Sequence, residues 1–246
     1  MRNGKSTDSG PSAGPDPLFI KHMFDRLARR YDLFNQLTSF GLAPLWRKAA
    51  VGPVRAGMRV MDLGCGTGDL VIEAARKMNG SGDVVGLDFS ANMLAVAQRR
   101  SEALAGPLKN RIRFLLKSAE ELPADEEPFD CVVSGFVLRN LYQNIEKILG
   151  GVYLSLKEGG GVSFLDITEP PNPLVLGIWK IYMNTLVGFY GKLLFGKDYP
   201  VFYLTESAKR FLKKDEFVRS LKKAGFKDVK TRDFMFGIIV LYQAVK

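Results

Sequence analysis

One loop constrains the fold of this chain more than any other feature, because alternating glycines follow a short apolar strand predicted at residues 59–63. The loop reads Asp62-x-Gly64-x-Gly66-x-Gly68. A helix is predicted directly after it, at residues 70–78. Glycines between a strand and a helix let the backbone approach a ligand closely and direct free amide groups at it. The sequence therefore predicts a βα unit with a ligand at its loop.

The same alternation of strands and helices continues along the chain. The predicted strands lie at 59–63, 83–89, 112–117, 129–134, 161–167, 226–233 and 236–245. The predicted helices lie at 18–35, 42–50, 70–78, 91–105, 144–156 and 213–224. This rhythm is typical of an α/β protein with a doubly wound, mostly parallel sheet of the Rossmann-like kind.

The ends and the middle of the chain differ from this pattern. Residues 1–17 are rich in Ser, Gly, Pro and Asp and lack the apolar run of a signal peptide, so we expect a disordered tail. Residues 18–246 have the length of one domain. Within it, residues 18–50 form an N-terminal helical cap. Residues 170–206 are aromatic and apolar, and we expect them to form a lid-like helical insertion.

Cysteine usage and charge limit the environment of the protein. Cys65 and Cys131 are far apart in apolar stretches, so we expect no disulfide, no metal site and a reducing, cytoplasmic location. The formal net charge is +9, and residues 207–232 hold ten Lys or Arg and three acidic residues. Such a segment can attract nucleic acid, an acidic substrate or anionic lipid, as at the inner face of the membrane, or it is the solvated side of an amphipathic helix.

The spacing of the loop indicates which ligand it binds. Dinucleotide enzymes use Gly-x-Gly-x-x-Gly, whereas here Asp62 precedes the glycines and would repel a pyrophosphate. Asp62 is instead suited to the cationic methionine part of S-adenosylmethionine. Asp88 ends the second strand twenty residues after Gly68, where a carboxylate can accept both ribose hydroxyls. The alternative is that the two aspartates cap helices.

Further cofactor contacts are predicted after the first three strands. Phe89 lies either on the adenine face or in the core. Ser118, Ala119 and Glu120 follow the third strand, near the adenine edge. The cofactor-binding residues predicted from the loop and the strand ends are Asp62, Gly64, Gly66, Thr67, Gly68, Asp88, Phe89, Met93, Ser118, Ala119 and Glu120.

Three further motifs resemble those of a known family. They are Tyr31-Asp32-x-Phe34-Asn35 with Ser39-Phe40-Gly41 and Leu45-Trp46, then Phe136-Val137-Leu138-Arg139-Asn140, and Tyr203-Leu204-x-Glu206-Ser207. The chain resembles the ubiquinone/menaquinone biosynthesis C-methyltransferases from about residue 20 to its C-terminus. The resemblance implies a class I methyltransferase fold with a seven-stranded sheet and an antiparallel last strand. It also implies S-adenosylmethionine as donor and a prenylated quinol ring as acceptor, demethylmenaquinol or its ubiquinone-pathway equivalent.

The resemblance adds Tyr31 and Asn140 to the cofactor side. The chain also departs from the family in three places. A histidine is usual where this chain has Ala43, Val137 replaces a glycine, and Asp166 stands in Leu-Asp-Ile-Thr where the family has Leu-Glu-Phe-Ser. These departures concern the substrate more than the chemistry.

Three residues are predicted to be catalytic. Methylation of a ring carbon needs an electron-rich ring, so Arg139 is expected to steady a phenolate or orient a water. Its alternative role is an ion pair at a helix start. Asp166 ends the fifth strand and is expected to accept the proton of a ring hydroxyl directly or through water, or else to cap a turn. Tyr203 either hydrogen-bonds the ring oxygen or packs in the core.

Several alternatives concern partners and function. The insertion either encloses a prenyl tail or forms a homodimer interface. Other functions in view are methylation of another lipophilic or aromatic small molecule, methylation of RNA, and cofactor binding without catalysis. The aromatic residues lie among aliphatic ones and do not alternate with Arg as a stacking platform would, so we expect no nucleic-acid partner.

Overall fold

The computed structural model describes residues 17–28, 30–122, 126–196 and 213–246. The strands in these ranges are β1 Arg59–Leu63, β2 Asp83–Asp88, β3 Ile112–Leu116, β4 Phe129–Gly135, β5 Leu156–Ile167, β6 Lys227–Phe234 and β7 Ile239–Val245. They form one seven-stranded sheet in the order β3-β2-β1-β4-β5-β7-β6. Strand β7 runs antiparallel to both its neighbours, and the other pairs are parallel. The predicted fold class is confirmed.

Helices cover both faces of this sheet. In the described part of the chain they are α1 Pro17–Leu27, α2 Tyr31–Thr38, α3 Ala43–Ala50, α4 Asp69–Met78, α5 Ala91–Glu102, α6 Gly106–Lys109, α7 Ile145–Ser155, α8 Pro173–Tyr182, α9 Gly188–Phe195 and α10 Lys214–Lys223. Apolar residues of α7 and α10 pack on one face of the sheet, and those of α3, α4 and α5 on the other. Strands β1, β2 and β4 are therefore almost wholly buried.

The order of the strands places a crevice at the loop after β1. Strand β2 lies on one side of β1 and β4 on the other, so chain connections leave this point in opposite directions. Ligands of doubly wound sheets bind at the carboxyl ends of the strands at such a point. The glycine-rich loop stands at this position.

A third apolar cluster joins the first two helices to the segment after β5. Its buried residues are Met23, Leu27, Phe34, Trp179, Met183 and Val187. The single helix predicted at 18–35 is in fact two helices, α1 and α2. The break brings the rings of Phe24 and Tyr31 edge to face, with centroids 6.0 Å apart. A continuous helix would place these two residues about 10 Å apart along its axis.

The predicted insertion is more regular than its glycines suggested. Helices α8 and α9 are joined by a π-helical turn, Met183–Val187, so the segment is helical from Pro173 to Phe195. Gly188 and Gly191 are buried within it, which lets α9 pack closely against α2. No helix in the described residues is both long and apolar enough to cross a membrane.

Strand β5 begins earlier than expected. The strand was predicted at residues 161–167, but it starts at Leu156, and residues 157–160 form a bulge inside it, because Phe129 pairs with Leu156 while Cys131 pairs with Gly161. The predicted tail at 1–17 lies outside the described residues apart from Pro17.

Helix α10 is fixed to the sheet by one aromatic side chain. Phe217 is fully buried, and its ring packs edge to face on Tyr242, with centroids 4.7 Å apart. We expect Phe217→Ala to lower the free energy of unfolding by about 3–5 kcal/mol, because it leaves a cavity in the core. Urea unfolding followed by circular dichroism measures the change.

The control is Leu154→Ala on α7, where the side chain is 78% exposed. It should change the free energy of unfolding by less than about 0.5 kcal/mol. A loss at Phe217 as small as that of the control would contradict the packing described here.

Candidate active site

A cavity of about 340 Å³ lies at the carboxyl ends of the first strands, over the glycine-rich loop. We call it the polar cavity. All the predicted cofactor residues except Gly68 line it. They are Tyr31, Asp62, Gly64, Gly66, Thr67, Asp88, Phe89, Met93, Ser118, Ala119, Glu120 and Asn140. Residues that are spread over more than a hundred positions of the sequence thus line the same polar cavity.

The surroundings that favour a glycine differ among the three glycines of the loop. All have positive φ angles, 71° at Gly64, 52° at Gly66 and 84° at Gly68. A Cβ on Gly64 would lie 2.6 Å from a methyl carbon of Val137, and one on Gly68 would lie 3.0 Å from Cβ of Ala97. Gly68 therefore packs against α5 and does not line the cavity, unlike its predicted role. No heavy atom described lies within 4 Å of a Cβ built on Gly66.

Asp88 shapes the loop through two backbone hydrogen bonds. Its Oδ2 accepts from the amide of Gly66 at 2.8 Å and its Oδ1 from the amide of Ser90 at 2.9 Å. The cap of α5 is Ser90, whose hydroxyl accepts from Met93 N at 3.1 Å. Burial raises the pKa of Asp88, although its backbone hydrogen bonds oppose this. The alternative in which Asp88 serves only as a helix cap is therefore wrong.

Asp62 is buried at the end of β1. Burial raises its pKa well above the usual aspartate range, and the nearby carboxylates of Asp88 and Asp69 raise it further. Helix α4 begins at Asp69, with Gly68 as its N-cap residue, and the amide of Val71 in its first turn hydrogen-bonds to the Asp62 carboxylate, which opposes the rise in pKa. Among the described residues, no hydrogen-bond partner reaches Oδ1 of Asp62. A cationic group in the polar cavity would supply the missing partner.

An ion-pair network that the sequence did not indicate clamps the loop from outside. Asp69 pairs with Arg47 at 2.5 Å and with Arg100 at 2.7 Å. Arg100 also pairs with Asp32 at 2.9 Å and donates to the carbonyl of Thr67 at 2.9 Å. The hydroxyl of Thr67 donates to Asp32 at 2.7 Å. Helices α2, α3, α4 and α5 are thereby tied to the cofactor loop.

A second cavity, of about 560 Å³, lies beside the first. We call it the apolar cavity, because helices α1, α2, α3 and α8 line it with mostly apolar side chains. Five residues line both cavities and form a shared wall: Phe24, Tyr31, Asn35, Arg47 and Phe136. A molecule in each cavity would meet its neighbour at this wall.

Two of the predicted catalytic residues form a buried ion pair. Arg139 lines the apolar cavity, and its guanidinium donates to Oδ1 of Asp166 at 2.7 Å. Its backbone amide donates to Oδ2 of Asp166 at 3.0 Å, and the amide of Ile167 donates to Oδ1 at 2.7 Å. Asp166 lines neither cavity. Its carboxylate holds Arg139, which differs from the direct proton acceptor predicted. Tyr203 lies outside the described residues.

Tyr31 is the one ionisable hydroxyl among the five residues of the shared wall. Burial raises the pKa of its hydroxyl, while the positive charge of Arg139 and a side-chain hydrogen bond with Asn35 oppose that shift. Phe24, which also belongs to the shared wall, packs edge to face on Phe89 with ring centroids 6.5 Å apart. Tyr31 was predicted to line the cofactor side, and the structure places it beside both cavities.

Comparison with protein-family models gives a match to the ubiE/COQ5 methyltransferase family over residues 14–246. The chain belongs to the ubiE/COQ5 methyltransferase family. It is 36% identical to a demethylmenaquinone methyltransferase of Desulfitobacterium hafniense, covering 93% of this chain and 90% of that one. It is also 36% identical to a ubiquinone/menaquinone biosynthesis C-methyltransferase of Syntrophotalea carbinolica, covering 91% and 92%.

Solved structures share the fold of this family member. A SAM-dependent methyltransferase from Aquifex aeolicus matches with a TM-score of 0.59 and 17% identity, covering 94% of this chain and 99% of that one. At this identity the likeness supports the fold alone. Family and fold together make the chain a methyltransferase that uses S-adenosylmethionine.

The polar cavity of this ubiE/COQ5 family member fits that donor. S-adenosylmethionine combines a nucleoside with a positively charged methionine part and carries no phosphate. The unpartnered oxygen of Asp62 suits the positive end, and the carboxylate of Asp88 beside Gly66 suits the ribose hydroxyls. Phe89 on the cavity wall offers an aromatic face for the adenine.

The raised pKa of Asp62 gives donor binding a pH dependence. Only the ionised carboxylate attracts a cation, so donor affinity should rise with pH through the raised pKa and level off above it. We expect Asp62→Asn to weaken donor binding about tenfold or more and to reduce this pH dependence, because a charge-assisted hydrogen bond is lost. Titration calorimetry across acidic and neutral pH measures both effects.

Asp83→Asn is the matched control. Asp83 lies at the opposite end of β2, half exposed and paired with Arg111. It should leave donor affinity unchanged. Equal donor affinity in Asp62→Asn and the unmodified protein at all pH values would refute the role given to Asp62.

Proposed function

We propose that this enzyme transfers a methyl group to a ring carbon of a prenylated quinol, either demethylmenaquinol or its ubiquinone-pathway equivalent. The names of the two relatives reported above support this acceptor. The observation that carries the proposal is the apolar cavity, which meets the polar cavity at the shared wall and has Arg139 as a buried cation on its lining.

The shape of the site divides the acceptor into two parts. The ring would lie at the shared wall, between Tyr31 and Phe136, where it faces the donor. The prenyl tail would lie along Trp179, Met183 and Val187, which line the apolar cavity without offering a charge. Such a cavity binds an apolar tail by burying its surface, because the tail has no groups that need hydrogen bonds.

Arg139 supplies the electrostatic part of the mechanism. S-adenosylmethionine would supply the methyl group from its sulfonium and leave as S-adenosylhomocysteine, while the ring carbon that accepts the methyl group would lose its proton. This transfer is easiest when a neighbouring ring oxygen is ionised to a phenolate. The positively charged guanidinium of Arg139 would stabilise that phenolate among mostly apolar side chains. Asp166 fixes Arg139 in place by accepting one hydrogen bond from its guanidinium and one from its backbone amide, and acts as a positioning residue.

One departure from the family favours a second acceptor class. Ala43 is buried and lines the apolar cavity where the family usually has a histidine. The smaller side chain removes a polar group and adds volume beside Trp46. Methylation of another lipophilic aromatic molecule is therefore the second candidate.

A prenylated acceptor resides in a lipid bilayer. We therefore propose that the enzyme acts as a peripheral protein at an anionic membrane surface, which the net charge of +9 also favours.

The acceptor is tested by incubating the enzyme with methyl-labelled S-adenosylmethionine and reduced demethylmenaquinol, or its ubiquinone-pathway counterpart. We expect label in the quinol ring. Donor binding without transfer to either quinol would reject the proposed acceptor, and transfer to another lipophilic phenol would favour the second candidate.

Arg139→Gln tests the mechanism. Circular dichroism first establishes that the variant is folded, because Asp166 loses its counterion. In the folded variant we expect kcat to fall about a hundredfold, because one stabilising group for the ring oxygen is lost, with less than about a threefold change in donor affinity. Arg139→Lys keeps the charge and should recover part of the activity. Equal losses of kcat and of donor affinity, with no recovery in the lysine variant, would assign Arg139 a structural role.

A further inference from the structure

Exposed apolar side chains surround one end of the apolar cavity. Phe40, Ile178, Met235 and Phe236 line the cavity and are also exposed to solvent, and Phe236 is 84% exposed. We call these four residues the rim. Large exposed aromatic and aliphatic groups clustered at a cavity mouth are unusual on a protein surface that faces only water.

The backbone of the rim is strained. Phe40, Met235 and Phe236 have φ angles of 50°, 50° and 56°, in the left-handed region that large side chains rarely adopt. Such strain persists where the surrounding structure enforces it, and it clusters at functional sites. The strained backbone is therefore consistent with a functional role for the rim.

The rim continues into the outer side of α8. Trp179 and Met183 face inward and are buried, whereas Leu174, Ile178 and Ile181 recur at helical spacing and are exposed. We call these last three residues the outer stripe. A helix that is apolar on both sides requires an apolar neighbour on each. The third apolar cluster supplies the inner neighbour, which leaves the outer stripe available to a partner.

The charges around this surface favour an anionic partner. Residues 173–196 contain two lysines, Lys180 and Lys192, and no carboxylate. The guanidinium of Arg232 lies 4.9 Å from the ring centre of Phe234, next to the rim. The carboxylate of Asp233 lies beside Gly237, close to the rim, and is paired with Lys214. Apolar groups flanked by cations fit the boundary between headgroups and acyl chains of an anionic bilayer.

We infer that the rim and the outer stripe form a membrane-docking face, through which the apolar cavity opens directly into the lipid. In this orientation a prenyl tail can remain in the bilayer while its ring enters the cavity. The entry of a tail rests on the proposed function, whereas docking of this face on lipid does not.

Vesicle binding tests the docking face without any acceptor. The full chain is sedimented with phosphatidylcholine vesicles that contain or lack phosphatidylglycerol. We expect binding that depends on the anionic lipid. The double variant L174Q/I181Q, at positions that do not line the cavity, should bind about tenfold or more weakly, because two apolar side chains no longer enter the bilayer.

Two controls separate docking from folding and from chemistry. Leu154→Gln changes an equally exposed leucine on α7 and should bind vesicles like the unmodified protein. Both variants should bind S-adenosylmethionine normally in solution. Unchanged vesicle binding by L174Q/I181Q, or an equal loss in Leu154→Gln, would overturn the inference. Because the vesicles hold no quinol, failure here is distinct from failure of the proposed acceptor.

A fluorescent probe tests the orientation. An environment-sensitive dye is attached to cysteine in F236C and, as the matched control, in L154C; the native Cys65 and Cys131 are both buried. We expect anionic vesicles to shift the emission to the blue at position 236 only. Equal shifts at both positions would overturn the inference. So would a concentration-dependent dimer that buries position 236 while vesicles have no effect.

Discussion

The ion pair between Arg139 and Asp166 holds together the part of the structure on which both cavities depend. Asp166 belongs to β5, and Arg139 to the loop that follows β4. The loop is fixed again where the amide of Phe136 donates to the carbonyl of Leu165 at 2.7 Å. Both charges of the pair are almost completely buried. Loss of either one would leave the other buried without its counterion, which is strongly destabilising.

The loop held by this pair forms the partition between the cavities. Phe136 lines both, Val137 and Asn140 line the polar cavity, and Arg139 lines the apolar one. The two sides of the partition would bind their ligands through different interactions. The polar side rests on strand ends and backbone hydrogen bonds, because a nucleoside needs fixed polar partners. The apolar side rests on packed helices, because a lipid tail needs only volume without charge.

The sequence predicted local elements well and their junctions poorly. Strand β1 and helix α4 follow from an apolar run, glycines and helical spacing, all of which are local. The break between α1 and α2 does not follow from a local pattern. Helix α2 packs against α9, which is distant in the sequence. Gly68 shows the same limit. Its spacing suggested a ligand contact, but Ala97 on a neighbouring helix decides why a glycine is needed there.

The sequence by itself determined the fold class and the glycine-rich loop after β1, and it singled out Asp62, Asp88 and Arg139 as candidate site residues. These rest on periodicity and on motifs of a few residues, which are properties of contiguous chain. The tertiary structure alone decided that Asp166 holds Arg139, that Arg47, Arg100 and Asp32 clamp the loop, and that two cavities share a wall at Tyr31. Each of these joins residues far apart in sequence, and their distances are fixed only when helices pack on the sheet.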